Sequence, residues 1–390
     1  VHPTPPPPHM FFLVSSDRFG DHLTPPGHPD RPARAHVMDA VAAQAARRGI
    51  TVVPPQPATI EQLLRVHASD YVEFVTAAGG QASRLEPGTF TSPDSAEVAR
   101  VAAGAAVQAV DAMLAVRQQP GARTRLSAAL VMARPPGHHA ERGRAMGFCI
   151  YNNVAIAAAH ALAAGLDRVA IVDYDVHHGN GTQQLFYDDP RVLFVSTHQY
   201  PFYPGTGAAG DAGTGHGAGT TVNIPMEAGA TDGDYEVVFE RLVVPIVTAY
   251  QPQILLVSAG FDAHMRDPMA RMRLSVAGLT NMAAMLRDVA ARLSSPAVFL
   301  TEGGYHLRAL GACLDNLVRT LADPAEQRAA PDEEHVVGQG FSLADACQDD
   351  DLLTVEDAPL IEVDVSGVTH RGPAAVDLVR AAQKTYWPTL

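Results

Sequence analysis

Short apolar runs with no polar break recur along this chain, and most of them lead into loops that hold histidine, aspartate or glycine. The runs are Met10–Val14, Ala128–Met132, Val169–Val172, Val192–Val195, Ile254–Val257 and Ala297–Leu300. Ala-rich helical stretches separate them, the strongest at Pro32–Arg48, Asp94–Arg117, Asn153–Ala164, Asp232–Tyr250, Val276–Leu293 and Leu307–Ala322. A strand that is apolar on both faces must be covered on both faces. The alternation therefore implies an α/β fold with a parallel sheet between helices.

The flanks differ in character. Residues 1–9, VHPTPPPPH, form a Pro-rich segment of extended type. The main domain is expected over residues 10–325. Residues 326–390 then hold an acidic, weakly periodic piece and a last helix. The acidic piece carries Glu333–Glu334 and Asp349–Asp351 and reads as a surface excursion or a partly disordered segment. The stretch Pro373–Tyr386 reads as a helix that docks back on the domain.

Composition narrows the function. With 47% hydrophobic and 18% charged residues in 390, the chain can bury a large core. Lys+Arg is 28 and Asp+Glu 42, so the formal charge is 28 − 42 = −14. An acidic surface repels phosphate and argues against nucleic-acid binding. It attracts cations such as lysine side chains, basic tails or polyamines. Three cysteines without a CxxC fit a reducing cytoplasm better than a disulfide framework. The start is Pro-rich rather than basic-then-apolar, so no secretory signal is expected. No uninterrupted apolar run reaches the roughly 18 residues of a membrane span, so no membrane partner is expected.

Five runs lead into site-like residues. They are followed by Arg134-Pro-Pro-Gly-His-His139, Asp173-Tyr-Asp-Val-His-His178, Ser196-Thr-His198, Ser258-Ala-Gly-Phe-Asp262 and Thr301-Glu-Gly-Gly-Tyr-His306. In open parallel sheets ligands sit just beyond the carboxyl ends of the strands. The five loops should converge on one site.

Their chemistry is legible residue by residue. In extended chain alternate residues share a face, so Asp173, Asp175 and His177 point the same way. Alone, that spacing equally fits a helix-capping loop or a magnesium site. A catalytic zinc usually takes three protein ligands and keeps one position open, and Asp262 is the natural third beside Asp175 and His177. His138 and His139 follow a rigid Pro-Pro-Gly turn and need partners to fix their tautomers, with Asp173 and Asn180 at hand. A histidine held by carboxylate is biased toward imidazolium, whereas one held by Asn stays neutral and suits a general base. The alternative is a pair capping loop carbonyls. Gly303-Gly304 permit a turn that brings the Tyr305 hydroxyl to the site as an oxyanion donor, or simply to any buried acceptor. Gly205-Thr-Gly207 and Gly213–Gly219 lack phosphate-cradle spacing and read as tight site loops. Phe148 and Tyr203 are candidates for the walls of a narrow apolar channel.

These pieces together resemble the histone deacetylase family of zinc amidohydrolases. The residues that carry the resemblance are Arg134–His139, Gly147-Phe-Cys-Ile-Tyr-Asn-Asn153, Asp173–Gly181, Phe202-Tyr-Pro-Gly-Thr-Gly207, Gly260-Phe-Asp262 and Glu302-Gly-Gly-Tyr305. The similarity spans roughly residues 10–325. The form His-His-Gly-Asn180-Gly looks like the class II and bacterial amidohydrolase-like branch. The resemblance implies the arginase–deacetylase fold, an eight-stranded parallel sheet sandwiched by helices. It implies one catalytic Zn2+ on Asp175, His177 and Asp262, His139 as general base and then acid, and His138, paired with Asp173, as its electrostatic partner. Tyr305 would bind the oxyanion; the weakly active branch carries His there. Gly147, Phe148, Tyr203, Met269 and Gly303 would contact the substrate, and Arg31 resembles an arginine near the base of the pocket. Asp173, Asp175, His177, Ser196 and Thr197 would contribute to a K+ site. The family's rim aspartate has no clear match; the nearest segment is Glu86-Pro-Gly-Thr89. The motifs of the two-manganese arginase branch are absent from the sequence. The expected substrates are acylated lysine peptides, with acylated polyamines or other small amines as the alternative, and a homo-oligomer stays open. A non-catalytic acyl-lysine binder is disfavoured, because a binder needs neither Tyr305 nor a full ligand set.

Overall fold

The protein is described here by a computed structural model covering residues 10–117, 127–322 and 365–390. The Pro-rich head and the acidic stretch 323–363 lie outside the described residues. Ten strands follow in chain order: β1 Met10–Val14, β2 Thr51–Val53, β3 Ser83–Glu86, β4 Thr89–Thr91, β5 Ser127–Val131, β6 Val169–Asp173, β7 Val192–Gln199, β8 Thr221–Met226, β9 Ile254–Ala259 and β10 Ala297–Thr301. Eight of them form one sheet in the order β2-β1-β5-β10-β9-β6-β7-β8, and every pairing in it is parallel. β3 and β4 form a separate antiparallel hairpin.

The central strands are buried along their whole length because helices cover both faces. Side chains alternate between two cores. On β6, Ala170 and Val172 enter one core while Val169 and Ile171 enter the other. On β10, Phe299 points one way and Val298 and Leu300 the other.

The six apolar runs are six of the eight sheet strands. The two that sequence reading missed are the edges. β2 has only three residues, and β8 carries Asn223 and Pro225. Proline is tolerated at an edge because one side of the strand needs no ladder donor. The helix expected over Asp232–Tyr250 is three pieces: Asp232–Val238, a π turn at Phe239–Val243, and Val244–Tyr250. Pro245 has no N–H to return to the preceding turn, and the wider π turn takes up the interruption.

Among the described residues the helix Ser95–Arg117 is long and apolar enough to cross a membrane. Here it is a core helix, packed on Asn153–Ala163 and β5, with 67% of its most apolar window buried.

The last helix, Arg371–Gln383, lies against β8 and the helix Asp232–Val238. Trp387 donates from Nε1 to the Gly219 carbonyl at 3.0 Å. One buried carboxylate clasps the segment. Asp234 accepts from the backbone N–H groups of Thr231, Thr369 and Gly372 at 3.1, 2.8 and 3.0 Å, and from the Thr369 hydroxyl at 2.7 Å. Asp234→Ala strands these buried donors and is expected to destabilise the protein by about 2–4 kcal/mol. Urea unfolding followed by the single tryptophan reads this directly; a loss under about 0.5 kcal/mol would show that the clasp lies elsewhere.

Candidate active site

The carboxyl ends of β5, β6, β9 and β10 supply the site, and β7 supports it from the side. Asp173 ends β6, and the loop after it turns back so that Asp175 and His177 face Asp262, three residues past the end of β9. Asp175 Oδ1 and Asp262 Oδ2 each lie 3.1 Å from His177 Nδ1. The three ligand atoms fall within 4.8 Å of one another, and all three residues are buried. Backbone fixes the outer oxygens: Gly303 N–H donates to Asp175 Oδ2 at 2.8 Å, and Val176 N–H to Asp262 Oδ1 at 3.0 Å. A Cβ on Gly260 would strike the Asp175 side chain, and one on Gly303 the Asp262 carboxylate. Only glycine lets these loops approach so closely.

Two buried carboxylates beside one imidazole form a site for a cation. Burial opposes charge on His177, but hydrogen bonds to Asp175 and Asp262 push its pKa up to about 10. Burial raises Asp262 and the neighbouring Asp175 raises it further. For Asp175 burial is outweighed by His138 and His177, and its pKa falls. A metal ion would take the place of the proton that the trio otherwise holds.

The two adjacent histidines are sorted by their partners. His138 Nδ1 lies 2.9 Å from Asp173 Oδ2, and His139 Nδ1 lies 2.7 Å from Asn180 Oδ1. Their rings are 4.0 Å apart. Burial disfavours the His138 cation, yet Asp173 and Asp175 push its pKa up to about 10. Burial, then the positive neighbours His138 and His177, hold His139 well below the ordinary histidine value. The two rings are thus pushed in opposite directions, His138 toward the cation and His139 toward the neutral form.

Tyr305 is placed by two residues that sequence reading did not single out. Asp267 accepts from the backbone N–H groups of Tyr305 and His306 at 2.6 and 3.1 Å, and with its other oxygen from that of Met269 at 3.0 Å. The Arg34 guanidinium stacks 4.8 Å from the Tyr305 ring centre and donates to the carbonyls of Gly304 and Glu302 at 2.7 and 2.6 Å. The arginine at the floor of the site is thus Arg34. Arg31, expected there, is partly exposed just before the helix Ala33–Arg47, whose first turn carries Arg34 inward. Arg34 and Arg134 are fully buried, and both donate to Asp30 Oδ1, at 2.7 and 2.9 Å.

The remaining nominated residues fall into place around this centre. Phe148 packs edge-on against Tyr305, and Tyr203 edge-on against His139. Gly147 takes φ 55°, and a Cβ there would strike the His139 ring. Phe202, not nominated, stacks on His177. The hairpin tip at Glu86–Thr89 reaches this mouth, where Thr89 Oγ1 accepts from Phe148 N–H at 3.0 Å. Ser196, Thr197 and His198, expected after the strand, are part of β7, which runs on to Gln199. Asp173 and Ser196 are register neighbours on β6 and β7, Ser196 Oγ meets His198 Nδ1 at 2.9 Å, and buried Thr197 Oγ1 has no partner among the described residues.

Comparison with known proteins gives one consistent answer. Residues 28–321 match the histone deacetylase domain family. The chain is 38% identical over 299 residues to the histone deacetylase-like amidohydrolase of Pseudomonas aeruginosa, covering 73% of this chain and 75% of that one. It is 37% identical over 318 residues to the human polyamine deacetylase HDAC10, covering 77% of this chain and 46% of the relative. The crystal structure of the HDA15 HD domain superposes with a TM-score of 0.79 at 30% identity, over 98% of this chain and 96% of that one.

Asp30 is the only acid bonded to the two buried guanidiniums among the described residues. Its pKa is depressed: burial raises it, but Arg134 and Arg34 outweigh burial. A depressed carboxylate contributes stability above its unfolded pKa and loses it as pH falls. Asp30→Ala is expected to lower stability by about 3–5 kcal/mol at pH 7, because it leaves both arginines buried and unpaired. Denaturant unfolding as a function of pH should show the gap to wild type narrowing only below about pH 4.

Proposed function

The chain belongs to the histone deacetylase family and has its arginase–deacetylase fold, and from that premise we propose how this amide hydrolase works: as a zinc enzyme that removes acyl groups from acyl-lysine side chains. The activity class, removal of acyl groups from acyl-lysine or related N-acyl amines, follows from membership. The observation that carries the mechanism is a buried three-residue ligand group beside two adjacent histidines, one paired with Asp173 and the other with Asn180.

Asp175, His177 and Asp262 would hold the zinc. Their donor set, one imidazole and two carboxylates with no fourth ligand among the described residues, fits a catalytic rather than a structural ion. Bound there, zinc supplies a Lewis acid for the amide carbonyl and lowers the pKa of water.

The chain's own residues do the proton work. His139 is neutral and accepts the proton of the attacking water at Nε2, since Nδ1 faces Asn180. The same nitrogen then delivers that proton to the leaving amine. His138 stays cationic against Asp173 and stabilises negative charge developing nearby. Tyr305 donates its hydroxyl to the oxyanion, held in aim by Asp267 and Arg34. Phe148 and Tyr203 flank the aliphatic stem and exclude water. Asp173 and Ser196, register neighbours on β6 and β7, together with Asp175, His177 and Thr197, whose buried Oγ1 has no partner among the described residues, support a K+ site.

Met269 favours acyl-lysine over acylated polyamines. It is partly exposed on the loop that Asp267 ties to Tyr305, and offers apolar, adaptable surface but no charge for a distal ammonium.

Two measurements test this reading. Asp262→Ala should lose most bound zinc and all activity, while Tyr305→Phe should keep its zinc and lose roughly a hundredfold in kcat, the usual loss for one oxyanion donor. Full zinc occupancy in the first, or an unchanged kcat in the second, removes that residue from its role. On a substrate panel, kcat/KM for acyl-lysine peptides should exceed that for acetylspermidine, and Met269→Glu should narrow the gap. A wild-type preference for acetylspermidine would overturn the substrate assignment and leave the chemistry standing.

A further inference from the structure

We propose that Glu141, which touches neither metal ligands nor substrate, is a positioning residue that selects the tautomer of His139 by orienting Asn180. The inference rests on the reading of His139 as the proton carrier.

Asn180 opens the helix Asn180–Phe186 and is 7% exposed. Its amide stands between two very different neighbours. On one side lies His139 Nδ1, 2.7 Å from Oδ1. On the other, Nδ2 donates to Glu141 Oε1 at 2.8 Å and to the Met146 sulfur at 3.4 Å. A carboxylate and a thioether accept and never donate. The NH2 end must therefore face them, and the carbonyl must face His139. A carbonyl accepts only, so His139 Nδ1 carries the hydrogen and Nε2 keeps its lone pair. Turned the other way, the amide would present NH2 to Nδ1. Nε2 would then carry the hydrogen and be unable to take one from water.

Among the described residues only the weakly accepting Met146 sulfur, at 3.4 Å, favours the same orientation, and the imidazole itself serves either end of an amide equally well. Glu141 is itself fixed. Its Oε2 meets Arg144 Nη2 at 3.1 Å, its N–H donates to the Arg144 carbonyl at 2.9 Å, and its own carbonyl accepts from His67 Nδ1 at 3.0 Å. Asn152 N–H donates to His67 Nε2 at 2.9 Å, which leaves His67 Nδ1 as the donor. Gly181 lets the two segments meet, since a Cβ there would strike the Ala140 carbonyl. The carboxylate is thus held by backbone and arginine against the one amide whose orientation matters.

The test is a double-mutant cycle in the zinc-loaded protein. Glu141→Ala is expected to lower kcat about tenfold or more, as loss of an orienting partner does, with KM and zinc content unchanged. Glu141→Gln keeps the size of the side chain but has one accepting oxygen for two donors, Asn180 and Arg144, and should recover only part of the loss. Aspartate at position 180 has two accepting oxygens and no wrong orientation. Asn180→Asp also sets two carboxylates 2.8 Å apart, so in that background Glu141→Ala should leave kcat unchanged or raise it. An equal loss in both backgrounds would mean that Glu141 merely props the loop, and overturns the proposal. So would an unaffected kcat in Glu141→Ala. If Asn180→Asp turns over too slowly to compare, histidine 15N NMR decides. His139, assigned by its loss in His139→Ala, should be the Nδ1–H tautomer in wild type and a mixture in Glu141→Ala; an unchanged tautomer refutes the idea. The His139→Ala protein separates the two claims. If it keeps wild-type kcat, the proton-carrier reading fails, whatever Glu141 does.

Discussion

Charge that cannot reach water governs this structure. Asp30, Asp173, Asp175, Asp262, Glu302, Arg34, Arg134, His138, His139 and His177 are all buried at one end of the sheet. Burial alone would neutralise each of them, so each keeps a charge only through a partner. Asp30 answers the two arginines. Asp173 answers His138. Asp175 and Asp262 share His177 or the cation that takes its proton's place. Glu302, raised by burial although His138 opposes the shift, is pushed up to about 7. His139 is held well below the ordinary histidine value by burial and by the positive neighbours His138 and His177, and its Nδ1 partner is an amide with no charge to offset them. Division of labour between adjacent histidines thus follows from what each is paired with, not from the residue type.

The same carboxylates tie the strand-end loops to one another. Asp175, after β6, accepts from Gly303, after β10. Asp262, after β9, accepts from Val176, after β6. Glu302, after β10, accepts from Gly137 and His138, after β5, at 2.7 and 3.2 Å. Asp267, past β9, accepts from Tyr305 and His306. The loops after β6, β9 and β10 give carboxylates, and those after β5, β6 and β10 receive them, with backbone N–H groups as donors. A backbone donor cannot change rotamer, so the acids are held without entropy-rich side chains. The glycines at 260 and 303 follow from the same geometry: the loops must touch for the bonds to form.

Much of this was legible in the chain, and what was not has common causes. Central strands announce themselves because both faces are buried. The edge strands β2 and β8 lack that constraint and went unseen. The three ligands and the two histidines were legible because each follows an apolar run within a few residues. Arg34, Asp267, Glu141 and Asp30 were not, because their roles rest on contacts with distant segments: Arg34 donates to Gly304, and Asp30 accepts from Arg134. Arg31 and Arg34 are one helical turn apart, and only the path of the helix Ala33–Arg47 decides which is buried. Asn180 was visible as a partner for His139, but the orientation of its amide depends on Glu141, which no spacing rule connects to it.

Net charge and gate chemistry act at different ranges. A formal charge of −14 draws any cation toward the molecule. At physiological ionic strength that field decays over about 8 Å and treats a basic peptide and a polyamine alike. It raises the rate of encounter and leaves selection to groups inside the mouth. There Glu86 is engaged by the Thr89 hydroxyl at 2.5 Å. An exposed ion pair adds only about 0.2–1 kcal/mol, whereas a desolvated one adds far more, because water no longer screens it. Selection for a distal ammonium thus requires a carboxylate shielded from water. An acidic protein can in this way gather polycations and still favour a substrate whose recognition is apolar.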